Sequence, residues 1–146
     1  MIHRLTISAT LLLAACGLAM ASNSPSVREL EARADAARLE DRPELYVEIA
    51  QQQLKFASES YKTGKTDEAK AAVADVVRCA GKARDASIQS GKKLKNIEIT
   101  MRKMAERMRD LKRQVNFDDQ APLQAAADEL ESMRSDLLSH MFRKGK

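Results

Sequence analysis

The side chains with ligating or nucleophilic character are few, and each has a plain structural use. Met101, Met104 and Met108 recur three and four residues apart. Thioethers are soft ligands, and such a row on one helix face could hold Cu(I). The same three residues also lie between Ile97 and Leu111 on an apolar seam, where methionine acts as adaptable core filling. They are read as core, and no metal ligand is assigned. His140 is the one histidine beyond residue 21, and the pattern places no serine or cysteine beside it to make a nucleophile–base pair. The acidic pairs Asp67-Glu68, Asp118-Asp119 and Asp128-Glu129 fall at helix starts or on polar faces, where they complement the helix dipole or face water. No glycine-rich phosphate loop, metal-spaced Cys/His set or HExxH occurs. The sequence therefore points to a non-enzymatic protein with no catalytic residue and no cofactor.

The element that must position most of these residues is a seam spaced four, three, four, three. It runs Ala69, Val73, Val76, Ala80, Ala83, Ser87, Ser90, Leu94, Ile97, Met101, Met104, Met108, Leu111, Val115. That spacing is one stripe of an α-helix, to be covered by partner helices. It predicts one long central helix over about 66–113, a rod of roughly 70 Å at 1.5 Å per residue. Gly81 and Gly91 lie inside it, each weakening a helix by about 1 kcal/mol relative to Ala. Residues 87–91 are accordingly the place for a bend, a break or a close helix crossing.

Three further helices carry their own punctuation. A capping box, Ser26-Val27-Arg28-Glu29, opens the first, from about Ser26 to Asp41. The second starts at Asp41-Arg42-Pro43-Glu44, with Asp41 or Arg42 as the cap, and ends at Gly64. The last runs from about Asp119 to His140, with Pro122 in its first turn. Short connections make neighbours antiparallel. The expected fold is all-α, an antiparallel bundle of hairpins around the long helix. The first two helices should cover its Ala/Val half and the last its Leu/Met half. Residues 22–146 then form one domain, with hairpins at about 43–80 and 92–141. A chain of 146 residues with 3% aromatics and no Trp must fill that core with Ala, Val, Leu, Ile and Met.

Residues 1–21 read as a leader. Met1-Ile2-His3-Arg4 is a short positive start, and the apolar run from Leu5 to Ala15 has the length of a secretion-signal hydrophobic region. Two processing routes compete. Ala19-Met20-Ala21 is a small-x-small cleavage site that would release a chain after Ala21. Leu13-Ala14-Ala15-Cys16-Gly17 instead resembles the bacterial lipoprotein box. That resemblance implies a leader of residues 1–15, with Cys16 lipidated as the new N-terminus. By either route the localisation expected is periplasm or cell envelope, lipid-anchored if Cys16 is modified. Only Cys79 then remains in the processed chain, so no internal disulfide can form. Next to seam residue Ala80, Cys79 reads as a small buried residue.

The stretch Tyr61-Lys62-Thr63-Gly64-Lys65-Thr66-Asp67-Glu68-Ala69 resembles the turn of a tetratricopeptide-type hairpin. That family places an aromatic, a turn glycine, an acidic pair and a small alanine at this spacing. In the same register Ala57 falls on the family's small position in the first helix. The resemblance covers about 35 residues of one repeat, roughly 45–80. It implies the hairpin geometry, with Ala57, Tyr61, Gly64 and Ala69 as turn and packing residues. A lone repeat has no concave superhelix and so no peptide groove.

From Lys92 to Arg113, nine Lys or Arg stand against Glu98, Glu106 and Asp110, a net of +6 in a chain of +4 overall. Lys92, Lys93, Lys95, Arg102 and Lys103 form a candidate basic contact surface. A basic helix can face nucleic acid or anionic lipid. An exported chain with no aromatics among these cations argues against nucleic acid. The last helix, rich in Asp and Glu, offers neutralisation from within the chain, and any remaining positive surface could touch anionic headgroups. The function expected is an exported helical interaction or scaffold module of the bacterial envelope, acting on an unknown protein partner or a second copy. The alternative is a periplasmic chaperone-like protein gripping unfolded clients or anionic envelope components.

Overall fold

The computed structural model describes residues 25–143, and the leader residues, Cys16 and Ala21 among them, lie outside it. Five helices follow one another: α1 (Val27–Ala36), α2 (Arg42–Lys62), α3 (Thr66–Ser90), α4 (Leu94–Gln114) and α5 (Phe117–Arg143). The fold is an all-α bundle, and no strand occurs among the described residues.

Local chemistry sets the boundaries. The capping box of α1 is formed: the Glu29 N–H donates to Ser26 Oγ and the Ser26 N–H to Glu29 Oε2, both at 3.2 Å. This helix stops at Ala36 rather than Asp41. Ala37 is extended, and its carbonyl accepts from Arg42 Nε at 2.9 Å. Asp41 occupies the N-cap position of α2, yet its carboxylate accepts from Arg38 Nε at 3.0 Å rather than from a helix N–H. Pro43 sits at the start of α2, where no backbone N–H is needed. Gly64 turns the chain at φ +74, a left-handed conformation that costs glycine little.

The expected single rod over 66–113 is two helices. Gly91 ends α3 at φ 69, ψ 14, and Lys93 begins α4 at φ 62. Serine hydroxyls supply the reason, by offering the backbone partners outside the helix ladder. Ser87, fully buried, donates from Oγ to the Lys92 carbonyl at 2.5 Å. Ser90 Oγ accepts from the Lys92 N–H at 3.1 Å. The Gly91 N–H closes the end of α3 on the Ser87 carbonyl at 2.9 Å. The break falls within the segment where glycine and serine weaken the seam.

Ion pairs give the helix directions. Lys70–Asp119 (3.3 Å) and Arg84–Asp136 (3.1 Å) join the starts and the later turns of α3 and α5, so these two run parallel. Arg109–Glu131 (3.2 Å) and Arg134–Glu98 (2.6 Å) join α4 to α5 in the antiparallel sense. α2 packs chiefly on α3, and α4 on α5. The last helix therefore covers both halves of the seam, not the Leu/Met half alone. It also begins earlier than expected, at Phe117, which puts Pro122 in its second turn.

One continuous apolar cluster unites the helices. Ala50, Ala57, Ala69, Val76, Ala80 and Ala83 lie fully buried where α2 meets α3, and small side chains there permit close approach. Ile97, Met101, Met108, Leu123, Leu130 and Leu137 fill the wider space between α4 and α5, all at 0% exposure.

Candidate functional site

Amphipathic spacing puts the α4 apolar residues inward and leaves its cations outside. Lys92, Lys93, Lys95, Arg102, Lys103 and Arg107 are all exposed. Lys93 pairs with Glu44 at 3.1 Å, Arg109 with Glu131, and Arg113 with Asp110. Lys92, Lys95, Arg102, Lys103 and Arg107 have no carboxylate partner among the described residues. Neutralisation by α5 is thus confined to one edge of α4. Two of the α5 acids, Asp119 and Asp136, are instead held by Lys70 and Arg84 of α3. The five proposed surface residues do not form one patch. Lys92, Lys93 and Lys95 sit at the α3–α4 turn, whereas Arg102 and Lys103 lie two turns down α4 and point about 100° apart around its axis.

A groove of about 710 Å³ opens between α2 and α4. Leu54 and Leu111, both buried, contribute its apolar part. Its walls carry Glu48, Lys55 and Glu59 from α2, with Arg107, Asp110 and Gln114 from α4. A smaller hollow of about 220 Å³ lies by the α2–α3 turn, lined by Tyr61, Gly64, Thr66, Val115 and Asp119 among others. The Tyr61 hydroxyl is buried there without a hydrogen-bond partner, and burial, with the Asp119 charge second, raises its pKa. Of the hairpin residues, Ala57 and Ala69 are at 0% exposure, and Gly64 makes the turn.

The densest polar cluster joins α1 to α3. Glu31 and Asp35, four residues apart on α1, meet Arg78 and Lys82, four apart on α3. Glu31 Oε1 accepts from Arg78, and Lys82 Nζ reaches Glu31 Oε2 at 3.1 Å and Asp35 at 3.4 Å. The Arg78 hydrogen bond holds the Glu31 carboxyl below its usual range against the opposing cost of burial. Tyr46 of α2 donates to Asp35, which keeps that carboxyl low in turn. Burial first, and the Asp35 hydrogen bond second, push Tyr46 up to about 12. Cys79 is fully buried beneath this clamp, its Sγ 3.6 Å from Glu31 Oε1. Burial, reinforced by the Glu31 charge, pushes the thiol up to about 12. The sulfur therefore stays protonated at neutral pH and is a poor nucleophile.

The sequence reading missed this clamp. Its signal was two matched four-residue spacings, acidic on α1 and basic on α3. It also missed Glu98, 8% exposed, whose partner Arg134 comes from the helix read as acidic. Met101, Met104 and Met108 are core side chains, at most 1% exposed. Among the described residues, no three His, Cys, Asp or Glu side chains cluster as a metal site, and no helix is long and apolar enough to cross a membrane.

The chain matches no protein-family model, and comparison with curated proteins and with solved structures returns no match either.

Proposed function

We propose that this chain is a non-enzymatic helical interaction module, exported to the bacterial cell envelope, that presents the α2–α4 side of its bundle to a protein partner or a second copy. The observation carrying this reading is the groove between those helices, an apolar base within charged and amide-bearing walls. Such a surface suits a partner that brings both apolar and polar side chains. Export rests on the leader-like residues 1–21, and lipid anchoring on Cys16. The α2–α3 hairpin is read as a single tetratricopeptide-like unit serving as scaffold. Its support is the buried pair Ala57 and Ala69 around the Gly64 turn.

The test is quantitative capture from envelope extract with wild-type protein and with a Lys55→Glu/Arg107→Glu variant, together with light scattering. A specific partner, or a dimer, that the double variant loses is the expected result. A strictly monomeric protein with no specific partner refutes the reading. A chaperone-like role draws on the same groove and on Phe56, 48% exposed on α2. Suppression of aggregation of an unfolded outer-membrane protein, lost in the same variant, would favour it over a fixed partner.

A further inference from the structure

One end of the bundle gathers cations around exposed apolar side chains. Arg84–Asp136 and Arg134–Glu98 set α3, α4 and α5 in register. From Asp136 to Phe142 α5 rises about 9 Å, the same as α3 from Arg84 to Ser90, and about what separates Glu98 from Lys92. Phe142, Arg143 and the Lys92–Lys93–Lys95 turn therefore share this end. The Lys93–Glu44 pair brings the start of α2 there too, with Leu45 37% exposed beside Glu44. Phe142 is 76% exposed. Of the acids of this region, Glu44 is paired with Lys93, and Glu40 and Asp41 share Arg38, which leaves one negative charge there against the three cations that follow. Lys92, Lys95 and Arg143 have no carboxylate partner among the described residues.

The opposite end is mixed in charge: Asp119 is paired with Lys70, while Asp118 and Lys65 are exposed without an ion pair among the described residues. Phe117, 85% exposed, stands there next to Asp118 and Asp119. Hydrophobic exposure is therefore common to both ends, while at the Phe117 end it stands beside the acids Asp118 and Asp119 and at the Phe142 end beside the cations Arg143, Lys92 and Lys95.

We propose that the end bearing Phe142, Lys92 and Lys95 docks on an anionic lipid surface, with Phe142 inserted at the headgroup boundary and the lysines on the phosphates. Charge complementarity selects the partner. Basic residues near an anionic bilayer contribute additively, and an adjacent buried aromatic strengthens the attachment. The grooves suited to a shaped protein partner lie elsewhere, between α2 and α4 and by the α2–α3 turn. This surface is distinct from the one proposed above, and either can fail without the other.

Co-sedimentation with vesicles of neutral lipid, with and without a third of anionic phosphatidylglycerol, tests it. The full chain and a chain starting at Ser22 are both used, because residues 5–21 give a background independent of lipid charge. The core lies within residues 25–143, so the shorter chain keeps it. Expected is binding that needs the anionic lipid and falls with salt. Lys92→Glu and Lys95→Glu should each weaken it at least ~5-fold, and Phe142→Ser by ~10-fold. Phe117→Ser should bind as wild type. Equal binding to neutral and anionic vesicles overturns the proposal, as does a loss in Phe117→Ser equal to that in Phe142→Ser. So does retention on soluble polyglutamate as tight as on vesicles and indifferent to Phe142, which would make the partner an acidic protein.

Discussion

Two glycines ten residues apart, inside what the seam reads as one helix, should respond to alanine with opposite signs. At Gly81, in mid-α3, a Cβ would meet Met133 Cε at 3.6 Å, an ordinary contact with the flexible end of a side chain. Helix propensity then dominates, and Gly81→Ala should stabilise the fold by about 1 kcal/mol. Spread over 119 described residues, that corresponds to a rise in Tm of about 4 °C. At Gly91 the backbone is left-handed, with φ 69. An alanine there costs roughly 1–2 kcal/mol, offset by about 0.4–1 kcal/mol from a less flexible unfolded chain. Gly91→Ala should therefore destabilise by about 1 kcal/mol. Urea melts followed by circular dichroism give both numbers, and unchanged m-values confirm that the same unfolding is compared. Were α3 and α4 continuous, both alanines would stabilise alike. Two gains of similar size would refute the break, and a loss at Gly81 would refute the described spacing of α3 and α5.

The clamp and the core give further expectations. Glu31→Gln leaves Arg78 and Lys82 without their shared carboxylate and should cost about 2 kcal/mol at neutral pH, between the values for exposed and buried pairs. In the wild type the folded Glu31 pKa lies below its ordinary value of 4.5, so this contribution is present above about pH 4.5 and is lost as pH falls through the folded pKa. The Gln variant should show a shallower acid limb in pH-dependent melts. Tyr46 and Tyr61 are the chain's two tyrosines, and both are raised, Tyr46 to about 12. Phenolate absorbance should therefore lag behind a free tyrosine on alkaline titration, with stability falling as pH passes from about 10 toward 12. Native Cys79 should resist alkylation and react fast once unfolded, and Glu31→Gln should speed the native reaction by loosening α1. Met104→Ala, at a site 1% exposed, should cost about 2–4 kcal/mol.

Much of the architecture could be read from spacing alone, because burial of a stripe is a one-dimensional signal. The capping box at Ser26, the Gly64 turn and the inward row from Ile97 to Leu111 follow from local rules and recur in the structure. The end of α1 did not follow. The apolar spacing Val27, Leu30, Ala34, Ala37 carries the helix on through Ala37, the residue that instead turns extended and accepts from Arg42. Tertiary charge pairing was the least legible. Composition correctly marked α5 as acidic and α4 as basic, but a sum over a segment carries no direction. Asp119 and Asp136 point to α3, while the contact between α4 and α5 includes the reverse pair, Arg134 of α5 with Glu98 of α4.

The break at Gly91 and the unpaired cations of α4 are one phenomenon. On an unbroken rod, α5 folding back from residue 116 would meet only the Leu/Met half, and its acids would have the α4 cations as their sole neighbours. The turn at 91–93 instead lays α3 alongside α5 as well, parallel to it. The acids on that side of α5 then find Lys70 and Arg84 closer at hand. Of the α4 cations, α5 keeps Arg109 through Glu131 and Lys112 through the Gln124 amide oxygen. Lys92, Lys95, Arg102, Lys103 and Arg107 are left facing water, and the same turn thrusts the first two to the end of the bundle beside Phe142. A change that straightened the turn would do more than alter stability. It would return α5 to α4 alone and remove the cluster of unpaired cations on which the proposed lipid-facing end depends.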